Sequence, residues 1–131
     1  MRRRMFVILA SAVLLGGCHR ASVQPAKASA PKPVAYEIEV GRHVFDWYCA
    51  GCHGSTGSGD GFNAFNLDPH PRDLSDPAFQ KTKTDDDLVD VIRRGGSGVG
   101  LSSLMPPWGR TLSPRQIDDV VLYIRTLKHT G

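Results

Sequence analysis

Two cysteines and a histidine stand close together near the middle of the chain. They are Cys49, Cys52 and His53, in the pattern Cys-x-x-Cys-His. Two thiols at this spacing can add to the two vinyl groups of a heme, and the adjacent imidazole can then ligate the iron. The pattern is therefore typical of covalent, c-type heme attachment, although a Cys-x-x-Cys pair has other uses in proteins.

Three other interpretations of the cysteine pair compete with heme attachment. A thioredoxin-like redox motif belongs in a βαβ unit, and the sequence contains no strand pattern of any length. A zinc site requires four ligands, but there is no second Cys-x-x-Cys and no close pair of histidines. A plain disulfide is the default in an oxidising compartment. We favour heme attachment, and the disulfide stays open as its alternative.

A candidate for a second iron ligand lies about fifty residues further along the chain. Met105 is followed by Pro106 and Pro107, which prevent a helix from continuing and indicate a stiff, extended loop. Such a loop suits a thioether that must be held in place better than a side chain that fills a core. We expect His53 and Met105 to be the two axial ligands, with His70 as the alternative to Met105.

The cysteine motif follows a predicted amphipathic helix from about Tyr36 to Ala50. Val40, Val44 and Tyr48 recur every four residues and so share one face of that helix. We expect the helix to end at the motif, with Cys49 in its last turn.

Two further helices are predicted on the carboxyl side of the motif. Thr84, followed by three Asp residues, marks the start of one, and Gly95-Gly96 marks its end. Ser113, Pro114 and Gln116 mark the start of the other through a capping box and a proline at the first helical position. Its apolar face is predicted to consist of Ile117, Val120, Val121, Ile124 and Leu127.

About thirty residues between the first and second predicted helices are rich in Gly, Pro, Asn and Asp. Such composition indicates an irregular loop, and a loop of this length is unusual in a small domain unless it has a function. Wrapping a cofactor is one such function.

The amino-terminal part of the chain has the layout of an export signal. Residues 1–17 contain three arginines followed by an apolar run that is too short for a comfortable membrane span. The sequence Leu-Gly-Gly-Cys at 15–18 resembles a bacterial lipoprotein box, which predicts lipid attachment at Cys18. Residues 18–35 are rich in Ala, Pro and Lys, so we predict a flexible tether between the lipid and the domain.

The charge balance of the predicted mature chain gives no reason to expect a nucleic-acid partner. Of the 16 Lys and Arg residues, three lie in the predicted signal, which leaves 13 against 13 Asp and Glu. The basic character of the whole chain therefore does not indicate nucleic-acid binding.

Residues 36–129 resemble the class I cytochrome c family, in particular the monoheme bacterial cytochrome c domains that serve membrane oxidases. The resemblance is carried by Cys-x-x-Cys-His and the later Met-Pro-Pro, and it assigns 36–131 to one cytochrome c domain. It implies an all-α fold, with three main helices and a long loop wrapped around one covalently bound heme c. It also implies that Gly41 and Phe45 pack against Val120 and Tyr123 where the first and last helices cross.

The same resemblance implies residues that support the heme. In the family, the carbonyl of a proline holds the ring of the heme-ligating histidine, and Pro69 and Pro71 are the two candidates here. Arg72 and Trp108 are candidates to donate hydrogen bonds to the heme propionates.

The expected function is that of an electron carrier rather than an enzyme. A monoheme c-type cytochrome with both axial positions filled would pass single electrons between periplasmic or membrane-bound redox proteins by outer-sphere transfer. The expected partners are a protein donor and a protein acceptor, such as a membrane oxidase or reductase, together with the membrane through the lipid anchor. Two alternatives stay open: a heme-based gas sensor or ligand binder, and a subunit that admits electrons to a membrane oxidoreductase complex.

Overall fold

The computed structural model describes residues 33–127. The predicted signal peptide, the predicted lipid-attachment residue Cys18 and the tether up to residue 32 lie outside this range. Within it, all regular structure is helical, and none of these helices is long and apolar enough to cross a membrane. The elements are α1 Val34–Tyr48, α2 Ala50–His53, a short 3-10 helix Ala64–Asn66, α3 Pro77–Thr82, α4 Asp85–Gly98 and α5 Pro114–Thr126.

The crossing of α1 and α5 forms the centre of the core. A Cβ atom on Gly41 would lie only 1.9 Å from the backbone oxygen of Asp119, so only glycine permits this approach of the two helices. Beside it, the rings of Phe45 and Tyr123 pack with centroids 5.3 Å apart, and Phe45 and Val120 are fully buried. The packing implied by the family resemblance is confirmed.

The starts of α4 and α5 follow the predicted capping patterns. The Thr84 hydroxyl accepts a hydrogen bond from the Asp87 N–H at 3.1 Å, and the Asp87 carboxylate accepts one from the Thr84 N–H at 2.9 Å. These hydrogen bonds lower the pKa of Asp87. Ser113 and Gln116 form the equivalent pair at α5. Both helices therefore begin where residues within four positions of each other satisfy the free backbone N–H groups.

The amino-terminal helix differs from the prediction at both ends. It begins at Val34, inside the segment predicted to be a tether, and it ends at Tyr48 rather than at Ala50. Cys49 then joins α1 to α2, a separate four-residue helix that carries Cys52 and His53. The two cysteines therefore do not lie on one continuous helix.

The segment predicted as an irregular loop contains the 3-10 helix and α3. Asp76 accepts a hydrogen bond from the Ala78 N–H at 2.9 Å, and Pro77 occupies the first helical position. Like Ser113-Pro114 at α5, it combines a capping side chain with a proline at the first helical position. The sequence therefore contained a local signal for α3.

Arg125 of α5 fastens the carboxyl end of α3 to the start of α4. Its guanidinium donates to the backbone oxygens of Gln80 at 3.0 Å and Lys83 at 2.6 Å, and it pairs with Asp85 at 2.7 Å. The first two are carbonyls at the end of α3, which lack partners within that helix.

Candidate functional site

A cavity of about 600 Å³ is lined by residues of all five α-helices and of the segment between α4 and α5. Most of the lining side chains are apolar. Cys49, Cys52, His53 and Met105 all line it, so the structure brings the four predicted heme-binding residues together. The remaining candidates named from the sequence also line this cavity: Pro69, His70, Pro71, Arg72 and Trp108.

Neither cysteine of the motif is paired in a disulfide, and both are partly buried. Burial raises the pKa of an unreacted Cys49 thiol to about 12, and the neighbouring Cys52 adds to this shift. Both sulfur-bearing side chains line the apolar cavity.

His53 is held in one orientation by the backbone of a distant residue. Its Nδ1 lies 3.0 Å from the carbonyl oxygen of Arg72. Burial lowers the pKa of His53, and this hydrogen bond opposes the shift only in part. A neutral ring that donates from Nδ1 leaves the lone pair of Nε2 available to a metal ion.

The acceptor of this hydrogen bond corrects one expectation. The family resemblance pointed to the carbonyl of Pro69 or Pro71, whereas the structure uses that of Arg72. The Pro71 carbonyl is directed at Gly59 instead, where a Cβ atom would lie 2.5 Å from its oxygen. The path of the loop, and not the residue type, therefore decides which carbonyl meets the imidazole.

The Arg72 side chain has close partners of its own. Its guanidinium forms an ion pair with Asp76 and lies over the ring of Phe79, 5.2 Å from the centroid. Arg72 was expected from the family resemblance only as a candidate propionate donor, and neither of these contacts was predicted.

The segment that carries Met105 packs closely against the backbone of two glycines near the end of α4. The Gly96 N–H donates to the Met105 carbonyl at 2.9 Å. A Cβ atom on Gly96 would lie 1.9 Å from the Ser102 oxygen, and one on Gly95 would lie 2.9 Å from the Met105 oxygen. Gly95 also has a φ of 71°, in the left-handed region that glycine favours. In the sequence, this pair of glycines indicates only the end of a helix.

Trp108, in the same segment, contacts both α4 and α1. Its backbone N–H donates to the Ile92 carbonyl at 2.9 Å, and its ring packs edge-on against Tyr48 with centroids 5.3 Å apart. The Met105 segment is thus attached to α4 on both sides of the methionine.

Comparison with known proteins assigns the domain. The family model described as cytochrome c oxidase, cbb3-type, subunit III matches residues 36–124. The chain belongs to this cytochrome c family. Its members are c-type cytochromes, so the domain is a monoheme cytochrome with covalently bound heme c.

Two curated relatives are cbb3-type cytochrome c oxidase subunits named FixP. The one from Azorhizobium caulinodans is 32% identical over 87 residues, which are 66% of this chain and 26% of the relative. The one from Sinorhizobium medicae is 29% identical over 98 residues, which are 74% of this chain and 32% of the relative. The cytochrome therefore spans only about a quarter to a third of these relatives.

Two solved structures share the fold. The KustC0563 c-type cytochrome superposes with a TM-score of 0.56 at 21% identity, covering 68% of this chain and 98% of that one. A chain of the Kuenenia stuttgartiensis reducing HAO-like protein complex Kustc0457/Kustc0458 gives a TM-score of 0.61 at 22% identity, covering 78% and 48%. Together with the strand-free architecture of residues 33–127, they confirm the predicted all-α cytochrome c fold.

The cavity fits the heme that this cytochrome family carries. An apolar volume of this size suits a porphyrin, and the lining presents two thiols, one thioether and the imidazoles of His53 and His70. Within residues 33–127, no group of three or more His, Cys, Asp or Glu side chains forms an alternative metal site.

Proposed function

We propose that this cytochrome carries single electrons on one heme, which Cys49 and Cys52 would hold through thioethers and whose iron His53 and Met105 would ligate. The observation that carries the proposal is the convergence of these four side chains on one apolar cavity. The first three are neighbours in sequence, but Met105 reaches the cavity only because its segment is seated on α4.

The heme supplies an iron that alternates between Fe(III) and Fe(II), and the chain tunes and protects it. His53 and Met105 would both ligate the iron, which would then have no open position for a substrate. The apolar lining excludes water and disfavours additional charge on the iron, and Met/His ligation raises the reduction potential. Both effects suit rapid transfer of one electron without bond chemistry.

Replacement of Met105 tests the ligand assignment. We expect Met105→His to lower the reduction potential by a large margin, because imidazole stabilises Fe(III) better than a thioether does. The far-red absorption band of the Met–Fe(III) bond should disappear. Leu104→Ala is the matched control, since Leu104 also lines the cavity but offers no ligand atom. An unchanged potential in Met105→His would refute Met105 as the ligand.

Carbon monoxide separates the carrier from a heme-based gas sensor. An iron with two strong protein ligands should bind carbon monoxide slowly or not at all in the native reduced state. Rapid binding by the unaltered protein would show that Met105 departs readily and would favour the sensor.

A second candidate is favoured by the relatives. Both FixP proteins are named as cbb3-type cytochrome c oxidase subunits, so this domain would serve as the part of an oxidase that receives electrons. Purification in mild detergent tests this candidate. Stable co-elution with a membrane oxidoreductase would support the subunit, whereas elution alone would support a free-standing carrier.

The proposed location is the periplasm, with anchoring to a bacterial membrane through lipid on Cys18. This proposal is supported by the export-signal layout of residues 1–17 and the Leu-Gly-Gly-Cys sequence. The intact mass of the mature protein should show a lipidated cysteine as the first residue. Cys18→Ser should move the heme protein from the membrane fraction to the soluble fraction, and a mature protein without lipid would refute the anchor.

A further inference from the structure

The Arg72 carbonyl accepts the hydrogen bond from His53, and the Arg72 side chain contacts α3. We call the two side-chain contacts of Arg72 with α3 the clamp. The guanidinium pairs with Asp76 and stacks on Phe79, at 5.2 Å from the ring centroid. Asp76 is the N-cap of α3, and Phe79 lies within its first turn. The side chain and the carbonyl of one residue therefore link α3 to the imidazole.

The segment between Arg72 and Asp76 has little freedom to move on its own. The Asp73 carboxylate accepts hydrogen bonds from the Ser75 N–H at 2.8 Å and the Ser75 hydroxyl at 2.7 Å. The Leu74 N–H donates to the Gly57 carbonyl at 2.7 Å. These hydrogen bonds and the contacts of the Arg72 side chain therefore hold one short turn, and its first residue carries the carbonyl that faces His53.

Stability alone gives a weak reason for this ion pair. The Arg72 side chain is 54% exposed and that of Asp76 31% exposed. Pairs in such surroundings contribute about 0–1 kcal/mol to folding. The location of the pair next to the imidazole acceptor is the more informative feature.

We infer that Asp76 is a positioning residue for His53, acting through Arg72. The inference rests on the proposed function, in which His53 ligates the heme iron. A firm Nδ1–H to carbonyl hydrogen bond increases electron donation by the imidazole and so stabilises Fe(III). Loosening the clamp weakens this bond and raises the reduction potential.

Three substitutions in the full heme-loaded protein distinguish positioning from simple charge. Asp76→Asn keeps a good helix cap but loses the ion pair. Arg72→Lys keeps the positive charge but loses the planar guanidinium. Arg72→Gln loses the charge as well. We expect all three to raise the potential. A purely electrostatic role predicts a rise for Asp76→Asn, no change for Arg72→Lys and a fall for Arg72→Gln.

A direct readout comes from the ring proton of His53. In the reduced, diamagnetic protein, the exchange of the Nδ1 proton with solvent reports the strength of its hydrogen bond. We expect exchange about fivefold faster in Asp76→Asn and Arg72→Lys, since a hydrogen bond of this kind is worth a modest net free energy. A structural change elsewhere would leave this proton unaffected.

Arg42→Lys is the matched control. Arg42 pairs with Asp46 at 3.1 Å with the same spacing of four residues and comparable exposure, but on α1. It should change neither the potential nor the proton exchange. An unchanged potential and unchanged exchange in Arg72→Lys, or a lowered potential in Arg72→Gln, would overturn the inference. The proposed function fails separately, if the unaltered protein lacks the thioether-bound heme or the Met–Fe(III) band.

Discussion

His53 satisfies two requirements at the scale of a single side chain. Burial lowers its pKa and keeps the ring neutral, and the Arg72 carbonyl, 3.0 Å away, determines which nitrogen carries the proton. A neutral and oriented imidazole is the form that ligates a metal ion. The residue type was evident from the sequence, but the acceptor was not, because the carbonyls of several residues in the same loop, Pro69, Pro71 and Arg72 among them, were available.

Gly41 provides a stability test at the same scale. We expect Gly41→Ala to destabilise the protein by about 2 kcal/mol, because the new Cβ atom would lie 1.9 Å from a backbone oxygen of α5. The better helix propensity of alanine offsets this only in part. Chemical denaturation of the heme-loaded protein measures the change.

Gly51→Ala is the control for this substitution. Gly51 is also helical, in α2, but it is exposed, and the nearest atom to a Cβ there would be the Asn63 side-chain nitrogen at 3.4 Å, an ordinary contact. The control should be close to neutral. Equal effects of the two alanines would show that helix propensity, and not the contact between α1 and α5, decides the result.

At the scale of the elements, the end of α4 serves as a seat for the Met105 segment. Gly96 donates to the Met105 carbonyl, Trp108 donates to that of Ile92, and Gly109 donates to that of Arg93 at 3.0 Å. The carbonyls of Ile92 and Arg93 are near the end of the helical geometry at Gly95, where α-helical partners run out. One helix terminus thus satisfies its own backbone groups and holds the segment that carries Met105, the proposed heme ligand.

Substitution of Gly96 tests this seat. A Cβ atom there would lie 1.9 Å from the Ser102 oxygen, so Gly96→Ala should push the Met105 segment away from α4. We expect loss or strong weakening of the far-red Met–Fe(III) band and a lower potential, with the covalent heme retained. Ser97→Ala, at the exposed neighbouring position, should leave the band intact. A normal band in Gly96→Ala would show that the segment is held by other contacts.

At the scale of the whole molecule, polar contacts between residues distant in sequence join α5 to other helices. Arg125 joins α5 to the end of α3 and to Asp85 at the start of α4, and its side chain is only 23% exposed. Arg115 joins α5 to Glu37 of α1 at 3.0 Å, but its side chain is 60% exposed. These two arginines of one helix allow a direct comparison.

We expect Arg125→Ala to destabilise the protein by about 2 kcal/mol, since it leaves two carbonyls of α3 without their charged donor. Arg115→Ala should cost less than about 1 kcal/mol, as exposed ion pairs do. Thermal or denaturant unfolding of both variants measures the difference. Equal costs would mean that the carbonyls of α3 find water without penalty.

Removal of the heme should have the largest effect on the molecule. Without heme, the apolar side chains that line the cavity of about 600 Å³ would lose their main packing partner and face water or a void. A small domain has little stability to spare against such a loss. We expect the heme-free Cys49→Ala/Cys52→Ala protein to be largely unfolded by circular dichroism. A stably helical spectrum would contradict this.

The sequence by itself determined the features that depend on near neighbours. Cys49, Cys52 and His53 identify heme attachment because the chemistry requires them side by side. The starts of α4 and α5 were evident because capping joins residues three positions apart. The start of α3 has a related local signal, an N-cap aspartate at Asp76 followed by a proline at the first helical position.

Only the tertiary structure decided the features that join distant parts of the chain. It placed Met105 in the cavity with His53, selected the Arg72 carbonyl over those of Pro69 and Pro71, and gave Arg125 its partners. The residues in these contacts are at least 19 positions apart in the sequence, and Arg125 and Gln80 are 45 positions apart. No local propensity specifies them, because they result from how closely the helices pack around the heme cavity.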